Sequence, residues 1–404
     1  MPQASRSDVA IIGIGYHKFG IYPEKSLQDL VFGAVTEAME SGKIGLEEVD
    51  MLFFADATAQ LIGRHSTPAQ FVSDHLGLSP KPAIRVESAC TSGSNAVREA
   101  MANIISGFID VALVVSAEKI DFPGRENVYR FSTAMSDEDY GVISDFAGPG
   151  ISALYAVRHM HEFGTTEEQM ASVAAKSRTY GAGNPYARFY KKPITLEEVM
   201  ASPYVVYPLK LPEVNPISDG ACAAILCRGD IAKNFVDTPV YVIGFGTGTG
   251  PVHLQDFKSF TEIPGLREAG QKAYDMAGVT PQDIEVFSDM DAFSIIEVLS
   301  LEGLGFMEKG RGQYAIEEGF STREGKLPTN PTGGNCSTGG PAGVITLRGI
   351  NDMALQVRGE GDKLGEGGQV KLSRGLALAQ GEGGGGLTNQ TVCILSSEPR
   401  RRNE

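Results

Sequence analysis

The sequence of 404 residues has little positive charge and no long apolar run. Its formal net charge is -15 and its pI is about 5.0, so we do not expect nucleic acid or an anionic membrane as a partner. The simplest interpretation of the negative charge is a solvated acidic surface that aids solubility. No apolar stretch approaches the ~20 residues that span a bilayer, and the first residues lack a basic region followed by an apolar one and a cleavage site. We therefore expect a cytoplasmic protein.

Cysteine is also scarce, with five residues in the chain. None of them has the paired spacing of a metal site, so the sequence predicts neither a metal nor disulfides. Cys222 and Cys227 lie in the apolar run ACAAILC and are predicted to be small buried residues. A hydrophobic content of 42% in a chain of this length suffices for two domains or for one duplicated unit.

The chain contains an internal repeat of β-α-β units. VAIIGIGY predicts a buried strand, SLQDLVFGAVTEAMESG an amphipathic helix and VDMLFFADA a second buried strand. The pattern AMESGKIGLEEVDMLFFADA, which begins at Ala38, returns as AYDMAGVTPQDIEVFSDMDA at Ala273, an offset of 235 residues. We therefore predict an N-terminal half of residues 1–235 and a C-terminal half of residues 236–404.

Each half is predicted to be an α/β layer in which ligands collect at the carboxyl ends of the strands. In the first half, AIRVES (83–88) predicts a strand that leads into the turn at Cys90. In the second half, PTNPTGG leads to a helix near Val344–Leu355, with strands around Leu372–Ala379 and Gln390–Leu395. The two glycine-rich turns should face one pocket. Residues from about 119 to 207 have no counterpart in the second half and are interpreted as an inserted loop domain of the kind that often forms a lid.

Cys90 is the strongest candidate for a catalytic residue. It ends a strand and begins the helix TSGSNAVREAMANIISG, where free backbone N–H groups and the helix dipole are expected to lower the thiol pKa. Small residues on both sides, among them Ala89 and Gly93, leave room for a substrate to approach the turn. The alternative is a buried, inert cysteine.

The motifs around and after Cys90 resemble those of thiolases. C-T-S-G-S, a helix, an I-x-x-G-x-x-D turn and a strand ending in Glu118 look like the family's nucleophile segment. Further motifs follow in the family's order: Ser218-Asp219-Gly220-Ala221, Asp291-Ala292-Phe293, Asn330-Pro331-Thr332-Gly333-Gly334, Gly339-Gly340-Pro341-Ala342-Gly343 and Gly383-Gly384-Gly385-Gly386. The resemblance covers nearly the whole chain and is strongest to the sterol-carrier-protein-like branch. It implies the thiolase fold, in which two duplicated α/β halves form a layered α-β-α-β-α core with an inserted loop domain.

The histidines that this family uses are missing. In thiolases the cysteine takes the acyl group, a histidine in G-H-P-x-G activates it, and a second imidazole or amide polarises the thioester oxygen. The resemblance places the first histidine at Gly340, the histidine of an H-D-A-F motif at Met290, and a late cysteine or histidine near Gln380 or Gly381. Glycine and methionine cannot accept a proton, so the usual activation of the thiol is absent from its usual positions.

Backbone N–H groups and a replacement base are expected to perform the roles of the missing histidines. The N–H groups of Cys90 and Gly383 correspond to the family's oxyanion hole, which contributes on the order of 3 kcal/mol per donor. A flexible turn is the alternative interpretation of the run GEGGGG, which lacks the ending of a phosphate-binding loop. His65 is the preferred replacement base, because the equivalent family loop passes over the pocket. A surface or structural role is the alternative for His65.

The remaining pocket residues are also inferred from the resemblance. Met290 and Gly340 are expected to enlarge and dry the pocket, which would suit a bulky acyl group. Cys336 either faces the pocket or packs at a helix start. The substrate-pocket set is Met290, Asn335, Cys336, Gly340 and Gln380.

The resemblance leaves three functions open. The first is a thiolase-type acyltransferase that cleaves or forms a carbon-carbon bond of a 3-oxoacyl-CoA through an acyl-Cys90 intermediate, on a bulky or aromatic substrate such as a benzoylsuccinyl-CoA-like ester. The second is a retro-aldolase that acts on a 3-hydroxyacyl-CoA without an acyl-enzyme. The third is a subunit that holds a CoA ligand and does no chemistry. Coenzyme A is then substrate or product, with no covalently bound cofactor.

The resemblance also implies partners. Members of this branch work as homodimers and commonly pair with a small accessory protein that carries an oligonucleotide/oligosaccharide-binding (OB) fold and a zinc ribbon, so any zinc would belong to that partner. Four basic residues of the insertion either meet the CoA phosphates or form part of a solvated loop: Arg178, Arg188, Lys191 and Lys192.

Overall fold

Strands and helices alternate along the chain. The computed structural model describes residues 4–63, 65–120 and 148–400. The strands are β1 (Val9–Gly20), β2 (Met51–Ala55), β3 (Ala83–Val86), β4 (Val111–Glu118), β5 (Tyr204–Val206), β6 (Leu209–Lys210), β7 (Asp219–Arg228), β8 (Val240–Thr249), β9 (Val286–Ser288), β10 (Leu376–Gly383) and β11 (Asn389–Ser396). The helices in these ranges are α1 (Leu27–Gly42), α2 (Pro68–His75), α3 (Ser92–Ser106), α4 (Gly148–Phe163), α5 (Glu167–Gly181), α6 (Leu196–Ala201), α7 (Leu266–Ala277), α8 (Ser294–Gly303), α9 (Asn335–Thr338) and α10 (Ile345–Arg358).

Nine strands hydrogen-bond in the order β3-β2-β4-β7-β1-β8-β11-β10-β9. Strands that precede residue 229 therefore lie on one side of the series, and strands that follow it lie on the other. Only two residue pairs, Ala10 with Tyr241 and Ile11 with Val240, join the two groups through β1 and β8. The predicted division at residue 235 is compatible with this order and stays a prediction.

The internal repeat recurs as a series of elements. In each half a helix is followed by a short 3-10 turn and a strand, and the turn and the strand start 235 residues apart. The two series are α1, Leu46–Glu48 and β2, and α7, Pro281–Asp283 and β9. The helix predicted in SLQDLVFGAVTEAMESG and the strand predicted in VDMLFFADA are thereby confirmed as α1 and β2.

Helices cover both sides of the strands and also separate the halves. α3 packs on β2 and β4, α10 packs on β9 and β10, and the two helices pack against each other. α1 covers β1 and β7 on the far side, as α7 covers β8 and β11. This is the predicted α-β-α-β-α layering. Apolar side chains fill the central layer, including Val97 and Ile104 of α3 and Leu347 and Ile350 of α10, and each large side chain that is fully buried contributes about 1.5–3 kcal/mol.

Local sequence explains the two helices that frame the first β-α-β unit. α1 begins after Ser26, whose hydroxyl accepts from the N–H of Asp29 while the Asp29 carboxylate accepts from the Ser26 N–H, which is a capping box. α3 ends at Gly107, whose φ of 82° lies in the left-handed region that favours glycine. These signals fix where the chain leaves each helix for the next strand.

The insertion is more regular than the predicted loop domain. Its described part carries α4, α5 and α6 and the β5-β6 hairpin. Glu167–Gly181 starts with a capping box at Thr166 and Gln169, a helix signal that the high content of glycine, proline and tyrosine obscured. The portion between residues 121 and 147 lies outside the described residues. None of the helices in the described ranges is long and apolar enough to cross a bilayer.

The strand expected around Leu372–Ala379 is displaced toward the glycine run. β10 starts at Leu376 and continues to Gly383, because Gly381 and Gly383 still pair with Thr391 and Asn389 of β11. The helix predicted near Val344–Leu355 and the strand predicted near Gln390–Leu395 are confirmed as α10 and β11. Gln380 and Glu382 therefore lie within the sheet rather than in a loop.

Candidate active site

Cys90 lies in a tight turn between β3 and α3. The preceding residue, Ala89, has a φ of 49°, which places a residue other than glycine in the left-handed region. The turn is held by hydrogen bonds from the Thr91 hydroxyl to the Ser88 carbonyl at 2.7 Å and from the Ser92 hydroxyl to the Ala89 carbonyl at 2.6 Å. The Asn389 side chain of β11 donates to the Ser88 hydroxyl at 2.8 Å. Both halves of the chain thus fix the position of Cys90, which is only partly buried.

The two glycine-rich turns touch each other at this point, and the pocket that they are expected to share stays a prediction. The N–H of Gly93 donates to the carbonyl of Gly343 at 3.0 Å. The hydroxyl of Thr346 in α10 donates to the Cys90 carbonyl at 3.1 Å.

Gly383 lies directly against the backbone of Cys90. A Cβ atom built on Gly383 would be 2.9 Å from the Cys90 nitrogen and 3.1 Å from the Thr91 nitrogen, closer than ordinary packing allows. Only glycine therefore lets the end of β10 approach the start of α3 this closely. The structure brings these two sequence-predicted residues together, and their role as an oxyanion hole stays a prediction.

The prediction of a lowered Cys90 pKa is wrong. Burial, followed by the negative charges of Glu118 and Glu382, raises the pKa of the thiol to about 12, although its own backbone N–H lowers it. The first N–H groups of α3 are already used: Ser92 donates to the Ala89 carbonyl, Gly93 to the Gly343 carbonyl and Ser94 to the Thr346 hydroxyl. Because these donors are occupied, the helix start does not offset the burial of the sulfur.

Glu118 is a functional candidate that the sequence analysis noted only as the end of a strand. Its carboxylate accepts hydrogen bonds from the N–H of Ala57, the hydroxyl of Thr58 and the N–H of Gly343, the last at 3.0 Å. Burial, helped by the charge of Asp56, raises the pKa of Glu118 to about 8. This carboxyl thus links the loop after β2 to the turn that touches α3, and it changes charge near neutral pH.

Replacing Glu118 with glutamine should lower the pKa of the Cys90 thiol from about 12, because one of the two main negative charges acting on the sulfur is removed. Glutamine can still accept the hydrogen bonds from the N–H groups of Ala57 and Gly343. The measurement is the rate of Cys90 alkylation by iodoacetamide as a function of pH, read by peptide mass spectrometry. Glu87→Gln is the matched control, since Glu87 has a smaller effect on the thiol. An unchanged alkylation profile in Glu118→Gln would contradict this assignment.

Glu118 should also make folding stability depend on pH. Its folded-state pKa of about 8 exceeds the ordinary value of 4.5, so its contribution is fully present below pH 4.5 and is lost as the pH rises through 8. In that range the free energy of unfolding should fall by at most about 1.4 kcal/mol per pH unit from this group. Urea unfolding between pH 5 and pH 8 should show a shallower pH dependence for Glu118→Gln than for the unmodified chain, and parallel curves would refute the prediction.

Met290 occupies the position of the family's second histidine. Met290 is 4% exposed, and its sulfur accepts a hydrogen bond from the N–H of Glu382 at 3.2 Å. The Gln380 side chain accepts from the Met290 N–H at 3.1 Å and donates to Gln390 at 3.2 Å. A Cβ on Gly381 would be 2.5 Å from the Thr346 methyl carbon, so no larger side chain fits there. Met290 therefore holds the end of β10 in place rather than widening a pocket.

Glu382 is the second carboxyl that acts on Cys90, and the sequence analysis missed it. It is fully buried in β10, and neither of its carboxyl oxygens makes a hydrogen bond of ordinary geometry, although Gln380 is close enough to favour the ionised form. Burial, followed by the charge of Asp289, raises the pKa of Glu382 well above its usual value. The one signal in the sequence was an acidic residue within a glycine run.

The space beside Gly340 is occupied rather than open. A Cβ on Gly340 would lie 1.9 Å from the side-chain nitrogen of Asn215. The expectation that Gly340 enlarges and dries the pocket is therefore wrong at this position, because a polar amide fills the volume next to the glycine. No motif predicts this contact, because it depends on two segments that are far apart in the chain.

Asn335 and Cys336 are packed into the interior. The N–H of Asn335 donates to the Asp291 carboxylate at 2.5 Å, and its side-chain oxygen accepts from Arg348 at 3.0 Å. The Cys336 thiol donates to the Asp291 carbonyl at 3.2 Å, and burial raises its pKa well above the usual value. These contacts fit the alternative in which Cys336 packs at a helix start, here that of α9.

His65 lines the same cavity as Glu118. The His65 ring packs edge-on against Phe71 of α2, with 5.1 Å between ring centroids. The backbone N–H of His65 donates to the Ala59 carbonyl at 2.9 Å. The cavity has a volume of about 240 Å³ and is also lined by Thr58. Among the described residues no hydrogen bond joins His65 to Cys90. A role for His65 as the base stays a prediction.

Three of the four basic residues proposed for phosphate binding make side-chain contacts within the protein, among them Lys191, whose ammonium lies 5.0 Å from the centroid of the Tyr190 ring. Arg178 donates to the Lys192 carbonyl at 3.0 Å and stacks on the Phe189 ring at 3.6 Å. Arg188 donates to the Ser218 hydroxyl at 3.2 Å, which ties the insertion to the S-D-G-A motif. In the ranges that the structure covers, no group of three or more His, Cys, Asp or Glu side chains is arranged to hold a metal ion.

This site defines an α/β protein with a cysteine held at a strand-to-helix turn against a glycine-rich strand end. Residues 9–206 match the family described as thiolase, N-terminal domain, and residues 246–397 match thiolase C-terminal domain-like. The chain belongs to the thiolase family. The prediction of a thiolase-like acyltransferase with the thiolase fold is thereby confirmed.

Several relatives are similar over most of their length. An acetyl-CoA acetyltransferase of Methanothermobacter thermautotrophicus is 35% identical over 91% of this chain and 96% of its own. The benzoylsuccinyl-CoA thiolase subunit BbsB of Thauera aromatica is 31% identical over 87% of this chain and 89% of its own. Human sterol carrier protein 2 is 28% identical over 92% of this chain and 70% of its own, which supports the predicted branch.

A solved structure of the Ltp2-ChsH2(DUF35) aldolase superposes with a TM-score of 0.81 at 25% identity. The match covers 97% of this chain and 98% of that chain. It confirms the predicted similarity to the branch whose members pair with an accessory protein.

Proposed function

We propose that this chain is a thiolase-type acyltransferase in which Cys90 carries the acyl group of a 3-oxoacyl-CoA. The observation that carries the proposal is the contact between Gly383 and the Cys90 backbone, where a built Cβ would be 2.9 Å from the Cys90 nitrogen. Two backbone N–H groups at such a contact can hold the oxyanion that forms when a thiolate attacks a carbonyl. The position of Cys90 at the start of α3 supports the same role.

The proposed reaction needs no external acid. The Cys90 sulfur attacks the C3 ketone, and the new S–C bond places a negative charge on the ketone oxygen at the Cys90 and Gly383 N–H groups. Collapse of this adduct breaks the C2–C3 bond, and the electron pair leaves on C2 of the departing CoA ester. The proton given up by the thiol ends on that carbon. Free CoA then takes the acyl group from Cys90, and its own proton returns to the sulfur.

Because the thiol pKa is raised, this reaction requires that substrate binding trigger deprotonation of Cys90. At neutral pH a thiol with a pKa of about 12 is almost entirely protonated, which protects it from oxidation and alkylation between turnovers. The carboxyls of Glu118 and Glu382 carry the charges that act on the sulfur. Protonation of these groups lowers the cost of forming the thiolate.

A bulky or aromatic ester is the substrate class that we favour. The similarity to the benzoylsuccinyl-CoA thiolase subunit of Thauera aromatica supports a benzoylsuccinyl-CoA-like ester. The test supplies the purified chain with acetoacetyl-CoA or with a 3-oxoacyl-CoA that carries an aromatic group, each with free CoA. The proposal expects a higher kcat/KM on the aromatic ester and product formation that requires added CoA. A preference for acetoacetyl-CoA would show that the substrate is a small ester and not a bulky or aromatic one.

A retro-aldolase is the second candidate, favoured by the pKa of Cys90 and by the likeness to the Ltp2-ChsH2(DUF35) aldolase. This reaction would cleave a 3-hydroxyacyl-CoA without an acyl-enzyme, and it would proceed without free CoA. Cleavage of a 3-hydroxyacyl-CoA in the absence of CoA would therefore favour the aldolase. A CoA-binding subunit without chemistry is the third interpretation, which expects binding and no turnover of either ester.

The proposal includes two partners. We infer a homodimer and an accessory protein with an OB fold and a zinc ribbon, both of which the family resemblance implies. The likeness to the Ltp2-ChsH2(DUF35) aldolase supports an accessory partner. Enzyme assays should therefore be run with and without a co-expressed accessory protein. The cytoplasmic location stays a prediction from the sequence.

A further inference from the structure

The segment that precedes the S-D-G-A motif runs between the two turns whose histidines are missing. Val214 forms an antiparallel bridge with Phe293, and the N–H of Asn215 donates to the Ala292 carbonyl at 2.9 Å. Two residues later, Ile217 forms a parallel bridge with Gly340. Asn215 is therefore held between the turn that contains Met290 and the turn that contains Gly340.

The Asn215 side chain occupies the place where a side chain at position 340 would begin. Its amide nitrogen lies 1.9 Å from where the first side-chain atom of a histidine at position 340 would be. A histidine at this position and Asn215 thus exclude each other. Asn215 is partly buried, and no hydrogen bond among the described residues uses its side-chain amide.

The Gly340 turn is connected to Cys90 by short contacts. The N–H of Gly340 donates to the Pro216 carbonyl at 2.9 Å, and three residues later Gly343 accepts from Gly93 at 3.0 Å. The Asn215 amide therefore lies on a segment that is hydrogen-bonded to the turn that supports the start of α3. A fixed donor in a partly buried place is what stabilises charge that develops during a reaction.

We propose that the Asn215 amide donates a hydrogen bond to the thioester oxygen of the CoA ester, in place of the second imidazole, whose position Met290 occupies here. When the C2–C3 bond breaks, the electron pair moves from C2 into the thioester carbonyl, and its oxygen becomes the negative oxygen of an enolate. The Asn215 N–H donates to that oxygen and transfers no proton. This inference rests on the proposed function, and it holds for thiolysis and retro-aldol cleavage alike because both release the same enolate.

A double-mutant cycle tests the inference. Asn215→Ala removes the donor and should lower kcat about a hundred-fold. Gly340→Ala inserts a methyl group at the amide and should lower kcat to a similar degree by displacing it. In the double variant the methyl group at 340 has room, but the donor is still absent, so kcat should stay as low as in Asn215→Ala. Recovery of kcat in the double variant would overturn the proposal, because it would mean that Asn215 only fills space.

Two controls separate this inference from the proposed function. Asn103→Ala changes an asparagine whose side chain bonds the Glu99 carbonyl in α3, and it should keep the kcat of the unmodified chain. Far-ultraviolet circular dichroism and thermal unfolding establish that each variant is folded. If the unmodified chain turns over neither a 3-oxoacyl-CoA nor a 3-hydroxyacyl-CoA, the proposed function fails. If it turns one over and Asn215→Ala keeps full kcat, only the role of Asn215 fails.

Discussion

Replacing Cys90 with alanine should lower kcat for thiolysis by at least about a thousand-fold, because the group that takes the acyl chain is lost. The fold should be retained, since the turn is held by hydrogen bonds from Thr91, Ser92 and Asn389 to other atoms of the turn. The measurement is the steady-state rate of CoA-dependent cleavage of a 3-oxoacyl-CoA. The effect should fall on kcat rather than on binding of the CoA ester.

Cys227→Ala is the matched control for this experiment. Cys227 is buried in β7, where it pairs with Ala10 of β1 on one side and with Val111 of β4 on the other. Its replacement removes a thiol without touching the Cys90 turn, so kcat should change little. Thiolysis at the normal rate by Cys90→Ala would exclude the acyl-enzyme.

Replacing Gly383 with alanine should lower kcat about a hundred-fold while the chain still folds. The added Cβ would lie 2.9 Å from the Cys90 nitrogen, so the end of β10 and the start of α3 must move apart by several tenths of an ångström. Such a shift weakens both N–H groups of the proposed oxyanion hole, and losing one donor of this kind costs about a hundred-fold or more in kcat. The value of kcat and the thermal unfolding midpoint should be measured on the same preparation.

Gly384→Ala provides the comparison, because a Cβ at Gly384 would have nothing within 4 Å. Gly384 has a φ of 76°, so the substitution strains the backbone and should lower stability without pressing on Cys90. We expect the larger loss of kcat for Gly383→Ala and the larger loss of stability for Gly384→Ala. The reverse order would show that Gly383 does not belong to the active site.

Much of the fold could be predicted because its signals are local. Alternating and helical apolar patterns, the Ser26 capping box and the repeat at 235 residues each specify an element from adjacent residues. The meeting of Cys90 and Gly383 followed from family motifs and is present in the structure. The start of β10 was misplaced because glycine-rich sequence is ambiguous between turn and strand until its partner β11 is known.

The electrostatics of the site could not be predicted in the same way. The helix start at Cys90 suggested a lowered thiol pKa, yet Gly343 and Thr346 of the second half occupy the donors that would have stabilised a thiolate. The amide of Asn215 beside Gly340 is equally invisible in sequence, because it depends on the packing of segments more than a hundred residues apart. Buried carboxyls such as Glu382 acquire their raised pKa only from this packing.

Intact-protein mass spectrometry tests the acyl-Cys90 intermediate when the chain is briefly exposed to a 3-oxoacyl-CoA without free CoA, with the accessory protein present. We expect a mass increase equal to one acyl group on the unmodified chain, none on Cys90→Ala, and loss of the adduct when CoA is added. Cleavage of a 3-oxoacyl-CoA or 3-hydroxyacyl-CoA with no adduct, and at the same rate in Cys90→Ala, would contradict the acyl-Cys90 intermediate.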